Sequence, residues 1–301
     1  MQDMKYFPRL WICLFLFQYS YAQNGMIVFQ TDFGLKDGAV SAMKGVAMNV
    51  SNKLQLFDLT HDIPPYNIWE AALRLEQAAP YWPKGTVFVS VVDPGVGSQR
   101  KPVVLQTRNG YFFVSPDNGT LTLIAQQMDI ESVREIDEKL NRLPGSSASY
   151  TFHGRDIFAY TAARLAAGKI KFREVGKLLS PQVLTLHYQK PILENGLLRG
   201  TVSILDIQYG NLWSNIPSAL LKEAGININD SVHVKISNDS KTMYEGTVLY
   251  ANTFSAVPEG VPVSYLNSLL NFSIAINMGS FAGKYNIESG PAWKIEIKKR
   301  E

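Results

Sequence analysis

The 301-residue sequence has only one cysteine, Cys13, so no disulfide can form within the chain. It also lacks a strong excess of charge, because 29 Lys and Arg residues face 26 Asp and Glu residues and the formal net charge is +3. Apart from residues 298–300 the basic residues are scattered, whereas a nucleic-acid-binding protein usually gathers them in a stripe. Nucleic acid is therefore not an expected partner. With 46% hydrophobic and 18% charged residues, the composition excludes fibrous and intrinsically disordered classes.

The N-terminal apolar run is too short to span a bilayer. Lys5 and Arg9 precede residues 10–17, which are apolar, and a small-x-small ending follows at Ser20-Tyr21-Ala22. This order is typical of a secretory signal peptide, which we expect to occupy residues 1–22. An uncleaved membrane tether is the alternative. The interpretation predicts a secreted or periplasmic protein without stable membrane insertion, whose mature chain contains no cysteine.

The first part of the chain alternates strand-like and helix-like segments. The expected strands are the apolar runs at residues 26–30, 54–59, 86–92, 103–105 and 111–114. The expected helices have apolar residues at helical spacing in residues 39–48, 68–79 and 157–167. Such alternation predicts an α/β domain with a mostly parallel sheet, here over residues 23–190. The last two strands are expected to form a hairpin at Asn109-Gly110.

The second part of the chain has a different pattern. Its strand-like segments lie at residues 202–205, 232–236, 246–250, 272–276 and 293–297, and Gly, Asn and Pro separate them. This pattern favours a small antiparallel barrel or sandwich, so we expect an all-β, barrel-like domain over residues 191–301. Two domains also agree with the chain length at about 150 residues per domain.

Four polar clusters follow predicted strands or precede a predicted helix. They are Thr31-Asp32-Phe33-Gly34, Val92-Asp93-Pro94-Gly95-Val96-Gly97-Ser98-Gln99-Arg100, Pro116-Asp117-Asn118-Gly119 and Thr151-Phe152-His153-Gly154-Arg155-Asp156. In an open parallel sheet, loops at the carboxyl ends of strands form the ligand crevice. Each cluster taken alone is also explained as a turn or a helix cap.

Two other interpretations of these clusters are weak. The glycines at positions 95 and 97 are not a dinucleotide fingerprint, because the third glycine and the following helix are missing. A metal site of His61, Asp93, His153 and Asp156 is conceivable. No His-x-His or His-Glu-x-x-His spacing supports it, so we expect no metal.

Taken together, the clusters resemble one family. With Met43-Lys44-Gly45 and Pro83-Lys84-Gly85-Thr86, they match the S-adenosyl-L-methionine (SAM) hydroxide adenosyltransferases in order and spacing. These are SAM hydrolases that form adenosine, and they are related to the SAM-dependent fluorinase and chlorinase. The resemblance implies an N-terminal catalytic α/β domain and a C-terminal substrate-binding β-barrel-like domain. It also implies a homotrimer, with the ligand between the N-terminal domain of one subunit and the C-terminal domain of its neighbour.

The resemblance further implies a reaction in which water or hydroxide attacks C5′ of the SAM ribose and methionine leaves. SAM is the substrate, so no cofactor is implied, and this small molecule and further copies of the chain are the expected partners. The Asp/Arg/His trio that marks the hydrolases maps onto Asp93, Arg100 and His153. A carboxylate and an imidazole can each accept a proton from water, and the motif leaves open which of them does so.

The resemblance also carries over substrate contacts, residue by residue. The matching residues are Asp32 and Tyr66 at the ribose, Gly154 beside His153, Asp206 at the methionine ammonium, Asn211 and Phe254 at adenine, Ser268 at the methionine carboxylate, and Asn277 and Met278 along the adenine edge. For Tyr66, ordinary packing is an equal alternative.

Two alternative functions remain open from the sequence. The first is a SAM-dependent adenosyl halogenase of the chlorinase or fluorinase type. Asp93 argues against it, because a carboxylate would repel a halide in an apolar pocket. The second is an exported nucleoside-binding protein without turnover.

Overall fold

The computed structural model describes residues 24–300, so the predicted signal peptide lies outside the described residues. The first domain contains strands β1 (Met26–Thr31), β2 (Gln55–Thr60), β3 (Val87–Val91), β4 (Pro102–Thr107), β5 (Phe112–Pro116), β6 (Ile130–Glu135) and β7 (Leu178–Leu179). Its helices are α1 (Ala39–Val50), α2 (Ile68–Ala78), α3 (Thr122–Gln127), α4 (Glu138–Asn141) and α5 (Tyr160–Ala166), with a π-helical turn at Gly154–Ala159.

The seven strands form one sheet in the order β2-β1-β3-β5-β4-β6-β7. The pairs β1–β2, β1–β3 and β3–β5 are parallel, whereas β4, β6 and β7 add antiparallel pairs at one side. The predicted α/β class with a mostly parallel sheet is confirmed. The predicted hairpin at Asn109-Gly110 is also confirmed, since β4 and β5 pair antiparallel across it.

Helices cover both faces of this sheet, which explains the continuous apolar runs in the central strands. Ile27 and Phe29 of β1 pack on the face that holds α1 and α5, and Val28 packs on the opposite face with Leu75 of α2. This alternation is the period of two that a strand requires. The sheet therefore presents its carboxyl edge between two packed helical layers.

The second domain is a closed barrel. Its strands are β8 (Ile192–Glu194), β9 (Leu197–Leu205), β10 (Leu212–Pro217), β11 (Ser231–Asn238), β12 (Lys241–Tyr250), β13 (Pro262–Leu266), β14 (Asn271–Ile276) and β15 (Trp293–Lys299), with helices α6 (Ser218–Glu223) and α7 (Phe281–Tyr285). The order is β10-β14-β13-β12-β11-β15-β9-β8, and β10 also pairs with β9. The β9–β10 pairing closes seven of these strands, β9 to β15, into a barrel. The prediction of a barrel rather than a sandwich is therefore confirmed.

The barrel differs from the sequence expectations in the direction of one strand pair and in the strands it contains. The β12–β13 pair is parallel in a barrel that was expected to be antiparallel throughout. Strand β10 was missed because polar residues interrupt its apolar pattern. One of them, Ser214, is buried and donates to the carbonyl oxygen of Phe272 at 2.7 Å.

The barrel packs against helices α2 and α3 of its own chain. Trp69 of α2 donates its indole N–H to the carbonyl oxygen of Ser203 in β9 at 2.8 Å, and Leu123 and Ile204 are buried beside it. The contact joins the two domains on the α2 side of the first sheet. Within residues 24–300, no helix is long and apolar enough to cross a membrane.

Candidate active site

A cavity of about 320 Å³ lies at the carboxyl ends of β1 and β3. Its walls come from three of the polar clusters singled out in the sequence. They include Phe33 and Asp37 after β1, Asp93 after β3, and Phe152 and His153 before the π-helical turn. This is the position where an open parallel sheet binds ligands. The cavity is bounded by segments that flank α1 and α5, whereas the barrel of the same chain packs on α2 and α3.

Asp93 and Arg100 form a buried ion pair beside this cavity. Their side chains are 5% and 9% exposed, respectively. Arg100 donates Nε–H to both carboxylate oxygens of Asp93 at 2.9 Å, and its Nη2 also donates to Oδ2. Two backbone hydrogen bonds fold the loop back on itself, from Val96 to Asp93 and from Ser98 to Gly95. This turn brings together two charges that are seven residues apart.

His153 completes the trio. Its Nδ1 lies 3.0 Å from Nη2 of Arg100. Because a guanidinium nitrogen only donates, we assign Nδ1 as the acceptor and place the ring proton on Nε2. Burial lowers the pKa of His153, and the positive charge of Arg100 lowers it further. The structure therefore brings Asp93, Arg100 and His153 together with a neutral imidazole at neutral pH.

A second arginine, which the sequence analysis missed, lies on the other side of the ring. Nη2 of Arg142 is 3.4 Å from Nε2 of His153 and donates to Oε2 of Glu138 at 2.6 Å. The only trace of this pair in the sequence is an acidic and a basic residue four positions apart. That spacing is common on solvated helices, so it does not distinguish a site.

Asp32 lies in the loop after β1, where it accepts a hydrogen bond from the backbone N–H of Tyr66 at 2.9 Å. Tyr66 has a left-handed backbone, with φ of 67°, and its side chain is 70% exposed. The contact between these two candidates thus uses the backbone of Tyr66 rather than its ring. At the end of β1, Oγ1 of Thr31 is hydrogen-bonded to Nδ1 of His61 at 2.8 Å. This contact connects β1 to the segment before Tyr66.

Gly154 directly follows His153 and begins the π-helical turn. A Cβ atom at this position would lie 3.1 Å from the ring of Phe33 and 3.3 Å from the ring of Phe152. Glycine therefore lets the two aromatic walls of the cavity approach the backbone. The sequence predicted an α-helix that begins at residue 157, whereas the structure begins the helix earlier and with a wider turn.

The remaining candidates, which we call the barrel residues, lie on the second domain. They are Asp206 and Asn211 in the β9–β10 loop, Phe254 after β12, Ser268 in the β13–β14 turn, and Asn277 and Met278 after β14. Among the described residues, none of them lines the cavity at Asp93.

Only some of the barrel residues lie close to one another. Asp206 accepts a hydrogen bond from the side chain of Asn211 at 3.4 Å, and the backbone of the same loop packs on the segment after Met278. Phe254 lies edge-to-face with Tyr265 in β13. Ser268 lies apart, because the six-residue strand β14 separates its turn from Asn277.

The four residues weighed as metal ligands do not converge on one point: Asp93 and His153 both line the cavity, but the guanidinium of Arg100 is hydrogen-bonded to each of them, and the other two lie elsewhere. His61 contacts Thr31 and Asp58, His153 contacts Arg100, and Asp156 is bonded to Arg155. Among residues 24–300, no cluster of three or more His, Cys, Asp and Glu side chains has the geometry to hold a metal ion.

Comparison with known proteins adds independent information. The model of the SAM hydroxide adenosyltransferase N-terminal domain matches residues 27–176, and that of the C-terminal domain matches residues 200–294. A (R)-S-adenosyl-L-methionine hydrolase from Salinispora tropica is 32% identical over 276 residues, which cover 91% of this chain and 98% of that protein.

Three further proteins are similar to different extents. A (R)-S-adenosyl-L-methionine hydrolase from Methanocaldococcus jannaschii is 41% identical over 144 residues, and this match spans 46% of the chain and about half (52%) of that protein. A fluorinase from an Actinoplanes species is 26% identical over 293 residues, covering 89% and 96% of the two chains. The crystal structure of an uncharacterized conserved protein from Thermotoga maritima superposes with a TM-score of 0.81 at 35% identity, covering 91% of this chain and all of that one.

Proposed function

Because the chain belongs to the SAM hydroxide adenosyltransferase family, we propose that it hydrolyses SAM to adenosine and L-methionine. The observation that carries this proposal is the buried trio of Asp93, Arg100 and His153 beside the cavity at the sheet edge. SAM is the substrate of this reaction, and the family implies no cofactor.

In the proposed reaction a water oxygen forms a bond to C5′ of the ribose while the C5′–S bond breaks. The bonding electrons move to sulfur, which turns from a sulfonium into a neutral thioether. The leaving group therefore needs no proton, and one proton of the attacking water is released. What remains for the protein is to position the water in line with the C5′–S bond and to accept that proton.

Within the trio, Asp93 is a better acceptor than His153 for the proton that the attacking water releases. Nδ1 of His153 already accepts from Arg100, and Nε2 carries the ring proton. The carboxylate of Asp93 lines the cavity and keeps further lone pairs beside those used by Arg100. In this assignment Arg100 orients Asp93, and His153 orients Arg100.

Halogenation is the second candidate, since a fluorinase is among the similar proteins. The buried carboxylate of Asp93 lines the cavity in which a halide would have to replace water. Two anions at short range in a low-dielectric site repel strongly. We therefore favour water as the nucleophile, and the experiment below includes chloride and fluoride.

We further propose that the complete site forms between subunits of a homotrimer. Two observations support this. The barrel residues do not line the cavity at Asp93 in their own chain, because the barrel packs on α2 and α3. In addition, Met278 and Phe254 are 83% and 43% exposed, which suits residues that pack on a neighbour or a ligand.

The decisive experiment is a product assay with the purified chain. Each sulfonium epimer of SAM is incubated in ¹⁸O-labelled water, with and without chloride or fluoride, and the products are analysed by mass spectrometry. Hydrolysis predicts adenosine with the label at the 5′ oxygen in every condition. A 5′-halo-5′-deoxyadenosine would support the halogenase, and binding of SAM without any product would support a nucleoside-binding protein.

The shared site is tested by mixing two variants, each impaired in a different half of the site, at a SAM concentration below the KM of the unmodified chain. Asp93→Asn damages the α/β half, and the double variant Asp206→Ala, Phe254→Ala damages the barrel half. If the site forms between subunits, refolding the two together restores active sites built from undamaged halves. If each chain makes its own site, the mixture shows no more than the average activity of its two components.

We also propose that the protein is exported through the N-terminal segment of residues 1–22. The sequence pattern supports this, and the test is N-terminal sequencing of the protein recovered outside the cytosol. Cleavage near Ala22 is expected. A full-length chain retained with the membrane fraction would support the tether instead.

A further inference from the structure

Both ring nitrogens of His153 lie beside a guanidinium. Nδ1 is 3.0 Å from Arg100, and Nε2 is 3.4 Å from Arg142. A neutral imidazole has one acceptor nitrogen and an imidazolium has none, whereas both neighbours only donate. No protonation state of the ring therefore satisfies both contacts: in the neutral ring the contact at Nε2 is already between donors, and protonation of Nδ1 would make the contact with Arg100 one between donors as well.

Arg142 is held firmly in this position. Its Nη2 donates to Glu138 at 2.6 Å, and its guanidinium carbon lies 4.5 Å from the ring centroid of Tyr150. The side chain is 9% exposed, and its Nη1 is buried without a hydrogen-bond partner. A buried cation with an unsatisfied donor is costly, so its placement against His153 calls for a functional explanation.

We propose that Arg142, anchored by Glu138, is a positioning residue that keeps the ring of His153 neutral. The neutral ring accepts from Arg100 at Nδ1 and thereby fixes the guanidinium that holds Asp93. A proton on Nδ1 would face the N–H groups of Arg100 and push Arg100 away from the carboxylate. The consequence for catalysis rests on the proposed hydrolysis, whereas the effect on the ring does not.

The charged and titratable groups around the ring come from several segments. They are Asp93 and Arg100 from the β3–β4 loop, Glu138 and Arg142 at α4, Tyr150 from the loop before His153, and Asp37 across the cavity. Burial lowers the pKa of His153 most, followed by Arg100; Glu138 raises it, Arg142 offsets part of that rise, and Asp93 raises it by the smallest amount.

NMR titration of the His153 ring tests the proposal in the full chain. The chain has four histidines, and the resonance is assigned by its loss in His153→Gln. We expect Arg142→Gln to raise the pKa of His153. We expect Glu138→Gln to lower it, because the amide oxygen can still accept from Arg142 while the negative charge is gone. Arg142→Lys retains the positive charge and should restore a value close to that of the unmodified chain.

The pH dependence of turnover gives a second readout. For each pH unit by which the pKa rises, the neutral fraction on the acid side falls about tenfold. The acid limb of kcat for Arg142→Gln should therefore move to higher pH, while kcat on the alkaline side stays within roughly twofold of the unmodified chain. A residue that only supports the fold would lower kcat at every pH without moving the limb.

Arg164→Gln is the matched control. Nη1 of Arg164 donates to the carbonyl oxygen of Leu140 and to the side chain of Asn141, both at 2.7 Å, so it anchors the same helix without facing His153. An unchanged pKa in Arg142→Gln, or an equal shift in Arg164→Gln, would overturn the proposal. Should the unmodified chain form no adenosine, the proposed hydrolysis fails, and the titration still decides whether Arg142 controls the ring.

Discussion

The two halves of the candidate site are built in opposite ways. In the α/β domain, Asp93 and Arg100 are 5% and 9% exposed and bonded to each other, and His153 is bonded to Arg100. On the barrel, Met278 and Phe254 are 83% and 43% exposed, whereas Asn211 is buried. The groups proposed for chemistry are thus fixed within one chain, whereas two of the groups proposed to hold adenine lie on an exposed surface.

The difference has a physical reason. A buried charge is tolerated only when partners surround it, so a site of this kind requires an enclosing fold. An exposed aromatic side chain has the opposite property, because it gains free energy when a ligand or a neighbouring subunit covers it. We therefore expect substitutions in the α/β half to affect turnover and substitutions in the barrel half to affect binding.

The largest effect is expected from Asp93→Asn. The amide removes the proton acceptor and the negative charge that holds Arg100, so kcat should fall by roughly 10²–10⁴-fold. KM should change little. The measurement is steady-state formation of adenosine, with Asp62→Asn at an exposed position as control. If the variant keeps full kcat, Asp93 has no part in the reaction.

A smaller effect is expected from Asp206→Asn. The amide oxygen can still accept from the backbone N–H of Gln208, which the carboxylate now binds at 3.1 Å, so the loop should keep its shape. Loss of a charge-assisted hydrogen bond to the methionine ammonium should raise KM roughly 10–100-fold with kcat nearly unchanged. Asp239→Asn, on the β11–β12 hairpin, is the control. A fall in kcat alone would contradict the division of labour.

Phe254→Ala should have a weaker effect of the same kind. The ring now contacts Tyr265 edge-to-face at 4.9 Å and is free on its other side. Loss of one aromatic stacking partner for adenine should raise KM roughly 2–10-fold. Phe254→Tyr keeps an aromatic face and should retain most of the affinity. Equal KM values for the alanine and tyrosine variants would show that adenine does not stack here.

The smallest effect concerns the pH dependence of folding. The pKa of His153 is lower in the folded chain than in the unfolded chain, mainly because of burial. The unfolded state therefore binds more protons between the two pKa values, and stability falls as the pH drops below about 6.5. His153→Gln should reduce this loss in thermal unfolding measured between about pH 7 and pH 5. An unchanged slope would mean that the ring is not neutralised by its surroundings.

Local patterns predicted most of the first domain. The apolar runs of β1, β3 and β5 and the helical spacing of α1 and α2 each reflect burial on a regular element, which the sequence encodes locally. Strand β10 was not predicted because its polar residue Ser214 is buried. The hydroxyl of Ser214 donates a hydrogen bond to the carbonyl oxygen of Phe272, a residue far away in the chain. When the hydrogen-bond partner of a polar residue lies far away in the chain, the neighbouring sequence does not indicate that the residue is buried in a strand.

The sequence alone determined the chemistry available to this protein. Asp93, Arg100 and His153 are recognisable because the motifs around them resemble those of the SAM hydroxide adenosyltransferases in order and spacing. Only the tertiary structure decided how they act together. The pair of guanidiniums around His153, the proposal of Asp93 as proton acceptor and the separation of the barrel residues from the cavity all depend on contacts between distant segments. Residue types and spacing set the functional groups, but distance and burial set their protonation and partners.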